Sequence, residues 1–318
     1  LEWDTKIKED LVLKKVMKKL ISLLFVTTMV IVMTACKSKD EATILIYDGQ
    51  FSEMRIIHQM VKLLVEDKTD IKVKIGEEMT PVNSFNELTK GRCDLFNSYD
   101  GTLLTTYLKQ DVTDVPEGIT IYDYANELAM ERHGARLLGQ LGTDNTYAIG
   151  VTEEVAKEYG LTSISDLVSV ADNLIFGAEH EFFSEEGSMK YNPFAEFYGL
   201  KFKEVKPVDI GLKYSAVENG MLDVTIVYAT DGLNKKAGLV ILEDDKEYFP
   251  DYNGALLVRD SLFEELAGVE PNLEEVLNEL AGIMDNAMMT EMTYEVDVNG
   301  KTPKEVAKNF LKEAGLID

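Results

Sequence analysis

The sequence predicts an α/β protein of two lobes that face each other across a cleft. Three observations carry this. Short apolar runs alternate with helical patterns along most of the chain, as in sheets joined by crossover helices. One strand-and-turn device occurs twice, 129 residues apart. The length, 318 residues, allows two domains at roughly 100–200 residues each.

In order, Thr43–Tyr47 reads as a buried strand. Glu53–Val65 reads as a helix with Ile56, Ile57, Met60, Leu63 and Leu64 on one face. Ile71–Ile75 is a second strand, and Ser84 is expected to cap a helix from Phe85 to Thr89 that Gly91 ends. Cys93–Phe96 is a third strand, with Cys93 as a small core residue. Five more strands are expected at Tyr147–Val151, Asn173–Phe176, Phe202–Val205, Val224–Val227 and Leu239–Leu242. Helices alternate with them, which implies parallel sheets. From Ser261 to Leu316 the pattern is mostly helical.

The repeated device is the most informative feature. Leu88–Leu95 (LTKGRCDL) is matched by Val217–Val224 (VENGMLDV): helix, Gly, two residues, Asp, apolar strand. In each copy a tyrosine follows the Asp by five positions, Tyr99 and Tyr228, and opens a polar turn that contains glycine. Each tyrosine thus stands just past the carboxyl end of a strand, where open α/β sheets bind ligands. Two facing lobes bring both into one cleft.

The first 36 residues read as an address. Lys18 and Lys19 precede an uncharged, mostly apolar run of 14 residues, Leu20–Met33, short of the roughly 20 needed to span a bilayer. Thr34 and Ala35 then precede Cys36. The ending Met-Thr-Ala-Cys resembles the lipobox of bacterial lipoproteins, which implies lipidation at Cys36 and a protein held on the extracytoplasmic face of the membrane. Met17 reads as the start of this signal, and 37–42 as a polar tether.

Composition narrows the function. Asp plus Glu number 57 against 32 Lys plus Arg, a net charge of -25, which repels phosphate backbones and argues against nucleic acid. Two Cys exclude a disulfide scaffold, and His58, His133 and His180 stand far from one another and from Cys, so no metal or cofactor site is expected. No G-x-S-x-G, P-loop or H-E-x-x-H occurs. His180, between Glu179 and Glu181, is read as a strand-to-loop residue and not as an acid/base catalyst, so the chain is not expected to be an enzyme.

Several stretches are similar to the substrate-binding lipoproteins of ABC importers for glycine betaine, carnitine and choline. They are FSE (51–53), YDGT (99–102), DNTYAIGV (144–151), GAEHEF (177–182), DIGLKYSAVENG (209–220), DVTIVYATDG (223–232), LEDDKEYFPDYNGALLVR (242–259) and the closing VNGKTPKEVAKNFLKEAGL (298–316). The resemblance implies a type II periplasmic-binding-protein fold with two chain crossings. Lobe I is then expected from 43–146 and 248–318, and lobe II from 147–247. It also implies permease and ATPase partners, a small quaternary ammonium ligand and an aromatic cage made by Phe51, Tyr99, Tyr147 and Tyr228. Thr102, Asn145 and Gln50 are expected at the ligand's carboxylate end. A quaternary ammonium donates no hydrogen bond, so ring faces suit it. Relatives of this group also handle ergothioneine, and a surface sensor or adhesin on the same fold is a further reading. Two departures from the family pattern, Asp48 and Asp100, together with a missing Arg after Phe182, imply a tilt toward cations without a carboxylate, such as choline.

Overall fold

The structure is a computed structural model that describes residues 42–183 and 187–318. The expected signal segment with Cys36, and the tether up to residue 41, lie outside the described residues.

The chain opens with β1 (Thr43–Asp48), which pairs in parallel with β2 (Lys72–Glu78). The helix Ser52–Lys68 crosses between them. Its residues Ile56, Ile57, Met60 and Leu64 recur at helical spacing and are fully buried. Val61 and Val65 complete the buried face, whereas Leu63 is only half-buried. Burial of each such side chain contributes roughly 1.5–3 kcal/mol. Leu64→Ala would therefore cost about 2–5 kcal/mol through lost contact and a residual cavity.

The next helix is Pro81–Leu88, and its cap is Thr80. The Thr80 hydroxyl accepts from the Asn83 amide, and Pro81 supplies the fixed φ of a first helical turn. Ser84, expected as the cap, is instead a buried residue inside the helix. β3 (Leu95–Tyr99), β4 (Ala135–Leu137) and β10 (Gly254–Arg259) form a second sheet in the order β3-β10-β4. Cys93 lies just before β3, fully buried, and burial pushes its thiol up to about 11.

A five-stranded sheet follows, built from β5 (Tyr147–Thr152), β6 (Ile175–Glu179), β7 (Glu204–Val208), β8 (Val224–Tyr228) and β9 (Leu239–Leu242) in the order β7-β6-β8-β5-β9. β6 and β7 begin two residues later than the sequence pattern suggests. Behind the sheet a dense aromatic core joins Phe176, Phe182, Phe194, Tyr198 and Phe249.

The repeated device is real in three dimensions. Asp94 N–H donates to the Leu45 carbonyl at 2.8 Å, and its carboxylate takes back the Leu45 N–H at 2.6 Å. Asp223 does the same to Ile175, at 2.9 and 2.8 Å. Each Asp carbonyl then accepts from the end of an antiparallel strand, Arg259 of β10 or Thr152 of β5, both at 3.1 Å. Asp94 thereby ties β3 to β1, and the two lobes share one plan, β2-β1-β3-β10-β4 against β7-β6-β8-β5-β9.

The sheets are mixed, not parallel throughout. β10 runs antiparallel to β3 and β4, and β5 antiparallel to β8 and β9. The reason is topological. β5 and β10 each follow a crossing from the other lobe, so they enter at the cleft end, where β3 and β8 finish. The register shows it: Gly254 pairs with Tyr99, and Tyr147 with Tyr228.

Candidate ligand-binding cleft

β3 and β8 end on Tyr99 and Tyr228, at the same height in their lobes. Each is joined by a tyrosine of a crossing. Tyr99 lies 5.4 Å from Tyr252, ring centre to ring centre, with the planes tilted by 30°. Tyr228 lies 5.4 Å from Tyr147, tilted by 34°. The crossings are stitched together: the Thr146 hydroxyl donates to the Pro250 carbonyl at 2.7 Å, and Asn145 N–H to the Tyr252 carbonyl at 3.0 Å.

A cleft of about 460 Å³ opens here, a size that suits a small organic ligand. Of the residues expected from the sequence, Gln50, Phe51, Tyr99, Thr102, Asn145 and Tyr228 line it. Phe51 stands at the mouth, 54% exposed, as the residue before the helix Ser52–Lys68. Thr102 is held by the Tyr252 hydroxyl at 2.6 Å, and the Asn145 side-chain oxygen accepts from Thr230 N–H at 3.3 Å. Tyr147 is not among the lining residues; it backs Tyr228 and packs edge-on against Phe182 and Phe249.

Asp48 and Asp100, expected as carboxylates gained near the cleft, are turned to other partners. Neither lines the cleft. The Asp100 carboxylate is buried and accepts from Gly101 N–H at 2.7 Å, and from Asn253 N–H and Nδ2 at 2.9 Å each. Burial raises it to about 6 despite these donors. Asp48 faces the ring of His58 at 3.1 Å and its own turn at Gly49. Ser184, Glu185 and Glu186, in the region of the missing Arg, lie outside the described residues.

Several residues to which the sequence gives no site role also line the cleft, among them Tyr252, Glu53, Asp297, Lys213 and Asp231. Tyr252 completes the first ring pair, and burial raises its phenol to about 12. Its signal was a second echo, since Tyr147 opens an apolar strand at one crossing and Tyr252 stands two residues before one at the other. Glu53, in the first turn of the helix Ser52–Lys68, is buried; Tyr99 OH donates to its Oε1 at 2.9 Å, and the Thr230 hydroxyl donates to its Oε2. Burial raises this carboxyl above its ordinary value against both hydrogen bonds. Asp297 is likewise raised by burial, and accepts from Ser52. Lys213 is 1% exposed and paired with Glu179 at 2.5 Å. Asp231 also lines the cleft, accepting from Leu233 N–H at 2.9 Å and from Tyr214 OH.

Two glycines let the walls approach. A Cβ on Gly101 would lie 2.1 Å from the Tyr252 ring, and one on Gly232 would lie 2.3 Å from the Tyr294 amide. These are the glycines of the two tyrosine turns, so the side chain is excluded by a neighbour in each lobe. Among the described residues, no group of three or more His, Cys, Asp or Glu is placed to hold a metal, and no helix is long and apolar enough to cross a membrane.

Comparison with known proteins agrees with this architecture. The chain is 30% identical over 270 residues to the carnitine transport binding protein OpuCC of Listeria monocytogenes, a match covering 84% of this chain and 85% of that protein. It is also 30% identical over 279 residues to the ergothioneine transport permease/ergothioneine binding protein EgtU of Helicobacter pylori; there it covers 87% of this chain but spans only 48% of that longer protein. Among solved structures, a glycine betaine/carnitine/choline ABC transporter protein superposes with a TM-score of 0.76 at 31% identity, covering 87% of this chain and 100% of that one. The family profile described as the substrate binding domain of ABC-type glycine betaine transport systems matches residues 42–313, and the chain belongs to that family, OpuAC.

Proposed function

We propose that this chain is the extracytoplasmic solute-binding subunit of an ABC importer, anchored by lipid at Cys36, and that it captures a small quaternary ammonium compound for delivery to permease and ATPase subunits. The observation that carries the reading is the pair of tyrosine couples, Tyr99–Tyr252 and Tyr147–Tyr228, at a cleft lined by Glu53, Asp231 and Asp297. Ring faces and carboxylates attract a cation that has no N–H to satisfy. Each desolvated ring contact contributes about 2 kcal/mol, and a micromolar affinity corresponds to about 8.2 kcal/mol. Three or four rings therefore supply most of the binding, offset in part by lost ligand freedom. In this reading Tyr252 takes the cage position first given to Phe51, which guards the mouth, and Tyr147 supports Tyr228 from behind.

The lobes are taken as 43–146 with 248–318, and 147–247. The test is equilibrium binding of the exported domain to glycine betaine, carnitine, choline and ergothioneine. Binding of none of them would defeat the proposal. Ergothioneine is retained because the Helicobacter pylori relative matches over 87% of this chain. The anchor is tested separately: Cys36→Ala should abolish fatty-acid labelling and release the protein, and normal labelling would exclude that site.

A further inference from the structure

The charge of this chain is unevenly spread. Its net charge is -25, yet one shallow groove of about 540 Å³ beside β2 is lined by Lys62, Lys72, Lys74 and Lys304, with Glu66 as the one carboxylate. β2 pairs with β1 on one side only, and the helix Ser52–Lys68 closes its other edge at Val73. Glu66 accepts the Val73 N–H at 3.0 Å, and Lys62 donates both to the Val73 carbonyl and to Glu66. Lys62 and Glu66 therefore satisfy each other and the strand. Lys72 and Lys74 flank the buried Val73, share the opposite face of β2 and are exposed. Lys304 begins a row with Lys308 and Lys312 along the helix Pro303–Glu313, at i, i+4 and i+8, and all three are exposed. The acids of that helix are Glu305, committed to the Thr302 cap, and Glu313 at its last position. Among the described residues no ion pair holds Lys72, Lys74, Lys304, Lys308 or Lys312.

The position of the patch matters as much as its sign. Thr43, the first residue of β1, pairs with Lys72, whereas Asp48 at the cleft end of β1 pairs with Glu78. At about 3.3 Å per residue, Lys72 stands roughly 20 Å along the strand from Glu78. The basic face thus lies where the chain arrives from residues 37–42, and away from the ligand. Fully extended, the stretch from Cys36 to Thr43 spans at most about 25 Å. A lipid at Cys36 would keep this end of the sheet within that reach of the bilayer, but a flexible tether sets distance and not orientation. Anionic headgroups attract lysines that come within about a Debye length, ~10 Å at 0.1 M salt, and the same salt screens acids farther off.

We infer that Lys72, Lys74 and Lys304, continued by Lys308 and Lys312, form a docking face for an anionic phospholipid surface, which lays the tethered protein down with the cleft end of β1 and β2 turned away from the lipid. This rests on the anchor read at Cys36 and adds an orientation to it.

Thr43–Asp318 is a compact unit with its own sheets, so the unlipidated exported domain tests the face without the anchor. Co-sedimentation with phosphatidylglycerol or phosphatidylcholine vesicles at about 0.1 M salt is the measurement. Wild type should bind phosphatidylglycerol about ten-fold more tightly or better, and should lose that preference near 0.5 M salt. The triple variant Lys72→Glu, Lys74→Glu, Lys304→Glu should lose about ten-fold or more, and Lys308→Glu with Lys312→Glu about three-fold or more. Lys157→Glu, Lys201→Glu, Lys203→Glu makes the same charge change at exposed positions elsewhere and should shift binding by less than about three-fold. No lipid preference in wild type, or an equal loss in the two triple variants, would overturn the inference. So would displacement of the vesicles by inorganic phosphate at constant ionic strength, which would mark a site for free anions. The anchor stands or falls on Cys36 labelling, which these vesicle measurements do not touch, so the two readings fail separately.

Discussion

Glu53 and Thr230, 177 residues apart in the chain, meet in a buried hydrogen bond at the cleft, the Thr230 hydroxyl donating to Oε2 of Glu53. Tyr99 donates to the other oxygen at 2.9 Å. One carboxylate thus links the helix after β1, the end of β3 and the turn after β8. Burial raises its carboxyl, so it ionises at higher pH than a solvated glutamate. A bound cation favours the ionised form. Ligand affinity should therefore rise with pH through the Glu53 titration, and Glu53→Gln should bind more weakly and lose that dependence. Calorimetry at a series of pH values from the ordinary glutamate range upward reads both effects.

The ring faces should govern affinity. Tyr228→Ala should weaken binding ten-fold or more, at about 1.4 kcal/mol per tenfold, and Tyr228→Phe should bind better than Tyr228→Leu. Tyr99 differs, because its hydroxyl serves Glu53. Tyr99→Phe keeps the ring but strips a donor from a buried carboxylate, and should cost more than Tyr228→Phe. Equal affinities for Leu and Phe at position 228 would refute the cage.

Asp100 should act on stability and not on selectivity. Its folded value is about 6 against an ordinary 3.8, so the folded state holds the proton more tightly than the unfolded chain does. The contribution to stability is fully present below the unfolded value and is lost as pH rises through about 6. Denaturant unfolding should show wild type gaining on the order of 1 kcal/mol from this group between pH 7 and pH 5. Asp100→Asn should remove that gain, and Asp100→Thr should leave the ratio of betaine to choline affinity unmoved.

Gly101→Ala should displace Tyr252, since the added carbon would lie 2.1 Å from its ring. Lower affinity and a lower Tm are expected. Gly268→Ala, where nothing lies within 4 Å of the added carbon, is the control and should change neither.

The sequence made some of this legible and hid the rest for physical reasons. The paired tyrosines were readable because Gly-x-x-Asp with a tyrosine five residues on is a local signal, and both copies end a strand. The directions of β5 and β10 were not, because antiparallel pairing is decided by where the chain re-enters a lobe and leaves no mark in periodicity. Ser84 looked like a cap by residue type, but Thr80 and Pro81 fix the helix start four residues earlier than expected. Lys213 and Glu179 meet across 34 residues, and a lysine opening a helix reads as a solvated charge until its burial is seen. Asp100 was legible as a departure in the turn, while its orientation depended on Asn253, 153 residues away.

The placement of Tyr147 and Tyr252 beside the stitch between Thr146 and Pro250 has a mechanical consequence. Two of the four rings in the tyrosine couples, Tyr252 in the wall and Tyr147 behind Tyr228, are carried by the segments through which the lobes are connected. A swing of one lobe relative to the other would reorient those two rings, so opening the cleft would disturb both the Tyr252 wall and the support that Tyr147 gives Tyr228. Recognition and motion then share a single coordinate. A substitution that stiffens either connection should change the release rate even though it touches no ligand atom.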